Sequence, residues 1–323
     1  MTHRRILVAQ AVALLLAILI GDPRVAAQQK KFLIIHADDL GMSHSVNRAT
    51  FESLEKGWIT SSSILVPCPW FPEVAAWARA HPTADLGIHL AVNSEWTTFR
   101  WGPVSGRDKV PSLLDKDGYL PLLETEVVAH AQPADVEREL RAQIDMAKAA
   151  GIHLTHLDSH MATLFHTQPL FDVYRRLGAA YDLPVLLERQ GARGGNDSPW
   201  RVQAQQDALV DRVVSIDPGV PPSGWLDAYR ALLAPLGPGV YQLIVHLGYD
   251  DDEMRGATAD HPDWGARWRQ SDFDMVKSQA FRDFLREKGF TLVGWREVGK
   301  MKKPPKAAVR KLLERTLVDQ IRR

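Results

Sequence analysis

The sequence predicts an α/β fold in a single domain, with parallel strands that are most simply closed into a barrel. Short apolar, β-branched runs alternate seven or eight times with amphipathic stretches of helical periodicity. No internal repeat and no low-complexity segment interrupts this alternation. A chain of 323 residues is long enough for one such domain with a large core, even without its first residues.

The individual elements follow from hydrophobic periodicity. The predicted strands are the apolar runs at residues 31–37, 61–67, 85–92, 152–160, 183–188, 212–217, 239–248 and 290–295. Helical periodicity covers residues 44–57, 72–81, 133–151, 168–180, 224–237 and 271–289. Either Ser43 or Ser45 is a suitable N-cap for the first helix.

Residues 1–27 have the pattern of a secretory signal peptide. A basic start precedes an apolar run at residues 6–20, and the small residues Val25, Ala26 and Ala27 precede Gln28. We expect cleavage after Ala27, a secreted or periplasmic protein, and no stable membrane insertion of the mature domain at residues 28–300. The alternative is an uncleaved anchor, although the run is short against the roughly 20 residues of a typical span.

Composition excludes some functions and leaves others open. The chain has 39 Lys and Arg against 39 Asp and Glu, a balance that gives no electrostatic case for nucleic acid. The one cysteine, Cys68, excludes an intrachain disulfide and is expected to be a small core residue. Residues 301–323 form a basic amphipathic segment that is expected to pack on the barrel or to meet a membrane surface or a partner. A homodimer is possible.

Polar residues end several of the predicted strands. They are Asp38 and Asp39 on the first strand, His89 on the third, Asp158 and His160 on the fourth and His246 on the seventh. In a parallel barrel these ends meet at one face, where barrel enzymes place their chemistry. Two adjacent carboxylates behind a buried strand repel each other, which suggests a cation between them. The alternative is that the pair only forms a turn and caps the next helix.

Two histidines and a carboxylate from three strand ends make a three-ligand site with open positions, which suits a hydrolytic metal. Asp158 lies two residues before His160 and therefore on the same face, so it can orient a ligand imidazole. Its alternative role is ordinary strand-end hydrogen bonding. The remaining histidines of these segments are interpreted as structural or surface residues, namely His81, His130, His153, His156 and His166.

Two long loops follow the predicted strand ends, at about residues 93–132 and 248–270. They contain Trp96, Trp101, Trp264 and Trp268. Flat aromatic rings over a barrel mouth suit the faces of sugar rings, which makes these residues candidates for substrate binding. The alternative is that they pack the loops themselves.

Four segments, LIIHADDLGMSHSVNRA, DLGIHLAV, THLDSH and HLGYDDD, occur in an order and spacing that resemble the YdjC-like carbohydrate deacetylases, which include chitooligosaccharide deacetylases. The resemblance covers about residues 31–297. It implies a distorted, TIM-like (β/α) barrel and the removal of N-acetyl groups from amino sugars with a divalent metal ion: Zn, Mg, Mn, Co or Ni. By matching positions it also implies Asp39, His89 and His160 as metal ligands, Asp38 as general base and His246 as a second acid/base group.

The chain departs from the family pattern at two positions. Ala162 stands where the family commonly has a further histidine, and Leu247 stands where it commonly has proline. Neither position is an implied metal ligand. The resemblance therefore supports the type of reaction more strongly than the identity of the substrate. Two other functions remain open: a metal hydrolase of a non-sugar amide or ester, and an extracytoplasmic sugar-binding protein with an idle site.

The signal peptide yields a direct prediction. When the full chain is exported from a bacterial host, the mature protein should begin at Gln28, because the small residues at Val25 and Ala27 fit the cleavage pattern. Mass spectrometry of the exported protein measures this. Recovery of the intact chain in the membrane fraction would contradict cleavage.

Overall fold

The computed structural model describes residues 30–189, 209–216 and 218–301, so the predicted signal peptide and the predicted tail beyond residue 301 lie outside the described residues. The strands are β1 (Lys31–Leu40), β2 (Ser61–Ile64), β3 (Leu86–Leu90), β4 (Leu154–Ser159), β5 (Arg212–Val214), β6 (Gly239–Val245) and β7 (Phe290–Leu292). The α-helices are α1 (His44–Glu55), α2 (Phe71–Ala80), α3 (Glu124–His130), α4 (Pro133–Ala149), α5 (Gln168–Tyr181), α6 (Trp225–Leu233), α7 (Asp252–Ala257), α8 (Ala266–Lys277), α9 (Gln279–Glu287) and α10 (Trp295–Met301).

In the described part of the chain, seven parallel strands form one sheet in the order β4-β3-β2-β1-β6-β5, with β7 added beside β1. The first half of β1 pairs with β7, its second half pairs with β2, and β6 runs along its other side. The sheet is a half-barrel whose strands are connected by helices, as the sequence predicted for a parallel α/β domain. Because all strands are parallel, their carboxyl ends share one face.

The gap between β4 and β5 is where the barrel is distorted. Residues 183–188, predicted as a strand, join their neighbours only through two isolated bridges, Leu157 with Val185 and Glu188 with Val210. At the first bridge the carbonyl of Pro184 accepts a hydrogen bond from the N–H of Leu157 at 2.9 Å, and the N–H of Leu186 donates to the carbonyl of Leu157 at 2.8 Å, but the pairing does not continue into a ladder. The prediction of a regular strand there is therefore wrong.

The core is built around β1. Every residue of this strand from Leu33 to Leu40 is buried, as expected for a central parallel strand that is covered on both faces. The exceptions to its apolar character are His36, Asp38 and Asp39. Cys68 is buried in the adjoining hydrophobic cluster, as predicted.

The helix that follows β1 has its own cap. Ser43, one of the two predicted candidates, accepts a hydrogen bond from the N–H of Val46 at 3.1 Å. Neither Asp38 nor Asp39 is therefore needed as the cap, and the capping alternative for the aspartate pair does not hold. Among the helices of the described residues, none combines the length and the apolar composition needed to cross a bilayer.

His156, interpreted from the sequence as structural, packs tightly against β3. Its fully buried imidazole stacks on the indole of Trp295, with centroids 4.9 Å apart and planes inclined by 14°. Its Nδ1 lies 2.9 Å from Oγ1 of Thr155. A Cβ atom added to Gly87 would lie 2.4 Å from Cε1 and Nε2 of this ring, so only glycine fits at that position of β3.

We therefore predict that Gly87→Ala lowers the free energy of unfolding by about 1 to 3 kcal/mol, the usual effect of overpacking a core. Chemical denaturation of the variant and of the wild type measures the difference. Gly256→Ala is the matched control, because a Cβ atom there meets nothing within 4 Å and alanine favours the helix α7. Equal stability of the two variants would contradict the tight packing of His156.

Candidate active site

The polar residues predicted at the strand ends meet at the carboxyl end of the sheet. Asp38 and Asp39 lie near the carboxyl end of β1, which ends at Leu40. His160 directly follows β4, and His246 directly follows β6. His89 of β3 and Asp158 of β4 are register partners, which places their side chains next to each other. The chain therefore brings together side chains that are more than 200 positions apart in the sequence.

The backbone at Asp39 explains how two adjacent carboxylates reach the same place. Asp39 adopts a left-handed conformation with φ of 66°, which ends the alternation of side chains along β1. Its carbonyl accepts a hydrogen bond from the N–H of Met42 at 3.0 Å, closing a turn over Gly41. Gly41 itself has φ of 100°, and a Cβ atom there would lie 3.1 Å from the carbonyl oxygen of Leu65.

Left-handed residues also follow His160. Met161 and Ala162 have φ of 50° and 55°, which is unusual for two consecutive residues that are not glycine. Such conformations cost on the order of 1–3 kcal/mol each and persist only where the surroundings hold them. Thr163 provides part of this support, because its hydroxyl donates to Oδ1 of Asn93 or to the carbonyl of His160, each at 3.0 Å. The backbone strain of the described chain is thus concentrated beside the candidate site.

Asp39, His89 and His160 form a compact, buried cluster. Oδ1 of Asp39 lies 3.6 Å from Nε2 of His89 and 3.6 Å from Nδ1 of His160. The three atoms offered by these residues lie within 4.8 Å of one another, a spacing that admits a metal ion between them. Oδ1 of Asp39 is buried and has no hydrogen-bond partner among the described residues. A buried carboxylate oxygen without a partner is costly, so these residues fit a cation well.

Each histidine of the cluster is held through its other ring nitrogen. Nδ1 of His89 lies 2.6 Å from Oδ1 of Asp158, and Nε2 of His160 lies 2.8 Å from Oε2 of Glu95. Carboxylate partners of this kind fix the ring orientation and the tautomer of metal-ligating histidines. His89 therefore presents its Nε2 to Asp39, whereas His160 presents its Nδ1. Asp158, predicted to orient a ligand imidazole, contacts His89, and the partner of His160, Glu95, was not predicted.

Charge is concentrated at this point of the fold. Burial alone would raise the pKa of Asp39, but the guanidinium of Arg269, 2.8 Å from Oδ2, holds that pKa well below its usual range. Burial likewise opposes protonation of His89, yet the charges of Asp158 and Asp38 raise its pKa to about 10. Without a metal ion, a proton on His89 therefore compensates part of the buried negative charge. A bound cation would take the place of that proton.

His36 extends the network beneath the cluster. Its Nδ1 lies 3.0 Å from Oγ of Ser61, and its Nε2 lies 3.0 Å from Oδ2 of Asp158 and 3.1 Å from Oδ1 of Asp38. Burial opposes protonation of this ring, but its hydrogen bonds to Asp158 and Asp38 raise its pKa to about 9. His36 was not predicted as a site residue. The available signal was its position two residues before Asp38 on the same extended strand, which places both side chains on one face.

His246 borders the cluster on the side of β6. Its Nε2 lies 3.9 Å from Oδ2 of Asp38, and its ring packs against the indole of Trp268 with centroids 4.8 Å apart. The backbone N–H of His246 donates to Oδ2 of Asp272 at 2.8 Å. Burial lowers the pKa of His246, and the attraction of the carboxylates of Asp39 and Asp38 offsets this only in part.

The tryptophans of the two long loops differ in exposure. Trp96 and Trp101 are only 2% and 3% exposed; the ring of Trp96 packs against His261 and that of Trp101 against His160, with centroids 5.7 and 6.1 Å apart, so neither presents a ring face to solvent in this structure. Trp268 is also buried. Trp264 remains 40% exposed and is the tryptophan of this set that can contact a ligand.

Comparison with known proteins agrees with this geometry. The sequence model of the YdjC-like protein family matches residues 32–287. A protein of Thermus thermophilus named carbohydrate deacetylase is 33% identical over 279 residues, which cover 85% of this chain and 96% of the relative. A carbohydrate deacetylase of Thermoanaerobacter pseudethanolicus is 24% identical over 266 residues, covering 82% and 98% of the two chains.

A solved structure from Enterococcus faecalis, described as that of a cellobiose-phosphate cleavage protein, superposes with a TM-score of 0.70. The superposition covers 83% of this chain and 99% of the solved chain. The two sequences are 24% identical, so the likeness concerns the fold. The family match extends over most of the chain and over every strand of the sheet except β7. The chain therefore belongs to the YdjC-like family.

Proposed function

We propose that this protein is a secreted or periplasmic hydrolase that uses a divalent metal ion to remove N-acetyl groups from amino-sugar-containing oligosaccharides. The observation that supports it most directly is the buried cluster of Asp39, His89 and His160, with an unpartnered carboxylate oxygen at its centre. The names of the curated relatives supply the carbohydrate substrate and the acetyl group.

The metal ligands in this proposal are Oδ1 of Asp39, Nε2 of His89 and Nδ1 of His160, which leave positions open for water and substrate. Such a cation makes water more acidic and polarises a carbonyl group. One carboxylate and two imidazoles accommodate Zn, Co, Mn, Ni or Mg. The carboxylates of Asp158 and Glu95 hold the two imidazoles in place, and Arg269 holds the second oxygen of Asp39.

Asp38 is the proposed general base. Its Oδ2 lies 3.7 Å from Nε2 of His89, so the carboxylate stands beside the ligand cluster without being one of its three members. Its Oδ1 lies 3.1 Å from Nε2 of His36, whereas its Oδ2 lies 3.7 and 3.9 Å from Nε2 of His89 and of His246, beyond hydrogen-bond distance. A carboxylate with unused acceptor capacity at this position can take the proton of the attacking water.

His246 is the proposed acid that protonates the departing amine, which would otherwise leave as a prohibitively basic anion. Its side chain is one-fifth exposed, so it can reach a ligand that enters the mouth. Its Nε2 and Oδ2 of Asp38 are 3.9 Å apart and lie on the same side of the site. A proton accepted by Asp38 therefore has only a short distance to travel to His246.

Acetate release from acetylated sugars is the experiment that tests this function. We expect metal-loaded protein to release acetate from N-acetylglucosamine oligomers faster than from generic acetyl esters. Faster hydrolysis of the simple esters would favour a non-sugar hydrolase. Sugar binding without acetate release under any of the five divalent metals would favour an idle, sugar-binding site.

The ligand assignment predicts that His89→Ala and His160→Ala each lose bound metal and activity together, because each removes one of three protein ligands. Elemental analysis and acetate release measure the two effects. His153→Ala is the matched control, because this histidine is exposed and precedes β4 at a distance from the cluster. Stoichiometric metal in either ligand variant would remove that residue from the ligand set.

Substitution of Asp38 and substitution of Asp39 should have different effects on metal occupancy and on turnover. Asp39→Asn should reduce metal occupancy, whereas Asp38→Asn should keep the metal and lower turnover by about 10² to 10⁴, the usual contribution of general base catalysis. Asparagine preserves size and much of the hydrogen bonding while it removes the basicity. If Asp38→Asn empties the site and Asp39→Asn stays loaded, the two roles are reversed. If neither variant changes metal or rate, the pair has only a structural role.

A further inference from the structure

A pair of exposed aromatic rings lies on the same face as the candidate active site. His44 begins α1 directly after the turn that ends β1, and Trp70 lies in the loop that follows β2. The N–H of Trp70 donates to the carbonyl of Gly41 at 3.2 Å. Gly41 is two residues from Asp39, which limits the distance between their Cα atoms to about 8 Å. The ring pair is therefore tied to the same turn that positions the proposed metal ligand.

The two rings form one stacked platform. The imidazole of His44 and the indole of Trp70 have centroids 4.8 Å apart and planes inclined by 29°. Trp70 keeps 36% of its surface exposed although His44 covers part of it, and the side chain of His44 is 40% exposed. Among the described residues, Trp70 and Trp264 are the tryptophans that remain substantially exposed.

The platform is braced by polar contacts. Nδ1 of His44 lies 2.8 Å from Oε1 of Glu73, and Oε2 of Glu73 accepts a hydrogen bond from the side-chain amide of Asn47 at 2.8 Å. The same amide donates to the carbonyl of Trp70 at 3.2 Å, while Oδ1 of Asn47 accepts from the N–H of Gly41 at 2.7 Å. Rings fixed in this way lose little conformational entropy when a ligand binds.

The platform also keeps polar groups available. Within the described residues, Nε2 of His44 and the indole N–H of Trp70 are not engaged in a hydrogen bond, and both side chains reach solvent. A pyranose ring combines an apolar face of C–H groups with a rim of hydroxyls. An exposed aromatic surface with the indole N–H of Trp70 and Nε2 of His44 at its edge matches both features.

We propose that His44 and Trp70 form a sugar subsite next to the candidate metal site, which binds a neighbouring sugar of an oligosaccharide while another sugar presents its acetamide for hydrolysis. This inference rests on the proposed function and deepens it, because it assigns two residues outside the metal site to the binding of a second sugar of the oligosaccharide. His44 and Trp70 belong to α1 and to the loop after β2, whereas Trp264 belongs to the segment between β6 and α8.

The test compares N-acetylglucosamine itself with its oligomers of two to five units. Trp70→Ala should lower kcat/KM for acetate release from the dimer and the pentamer by about tenfold, the size of one aromatic contact, and leave the single sugar within about twofold of wild type. Trp70→Phe should keep most of the preference for the pentamer. Met146→Ala is the control, because this exposed apolar side chain lies near the end of α4, away from the mouth. This variant should leave kcat/KM for acetate release unchanged for every substrate of the series.

Binding without turnover tests the subsite separately from the activity. The dissociation constant of the pentamer, measured by calorimetry, should rise about tenfold when Trp70→Ala is added to an Asp38→Asn background. An unchanged dissociation constant, or an equal loss for the single sugar and the pentamer, would overturn the subsite. If Trp70→Ala changes the oligomeric mass in sedimentation but leaves sugar binding unchanged, the subsite is also overturned. The platform is then assigned to contact between copies of the chain. Failure of the wild type to release acetate would instead contradict the proposed function.

Discussion

The burial of three carboxylates around one imidazole is the constraint on which the rest of this site depends. Oxygens of Asp38, Asp39 and Asp158 lie 3.7, 3.6 and 2.6 Å from the ring nitrogens of His89. Their mutual repulsion and their loss of hydration must be offset by positive charge. Arg269 and His36 supply part of that charge from opposite sides, and a divalent cation at the unpartnered oxygen of Asp39 would supply the remainder.

This constraint connects the fold to the chemistry. A parallel sheet delivers the side chains to one face, but the site also needs left-handed residues at Asp39, Met161 and Ala162 to turn them inward. Contacts from distant elements hold these strained turns, including the loop with Glu95 and the helix with Arg269. The structure thus places strain and buried charge in the same region, as is common where a protein binds and activates a ligand.

The sequence predicted those parts of the site that follow from strand geometry. The parallel order of the strands was sufficient to predict that Asp38, Asp39, His89, Asp158, His160 and His246 lie at one end of the sheet, but not the left-handed backbone that turns them toward one another. Glu95 and Arg269 could not be predicted in this way, because a loop and a helix bring them in without a periodic signal. The error at residues 183–188 has a similar origin, because an apolar run does not reveal that its pairing is limited to two isolated bridges. Trp96 and Trp101 stood as candidates for sugar binding, with packing of the loop as the alternative, because nothing in a loop sequence reveals that it folds back on itself.

The position of the cation is the central claim, and an anomalous difference map of crystals grown with Zn²⁺ or Mn²⁺ tests it most directly. We predict one strong peak within coordination distance of Oδ1 of Asp39, Nε2 of His89 and Nδ1 of His160, about 2.0 to 2.2 Å for zinc. Asp38 and His246 should border that peak without ligating it. A peak bound by Asp38 instead of Asp39, or no peak within this cluster at saturating metal, would contradict the account.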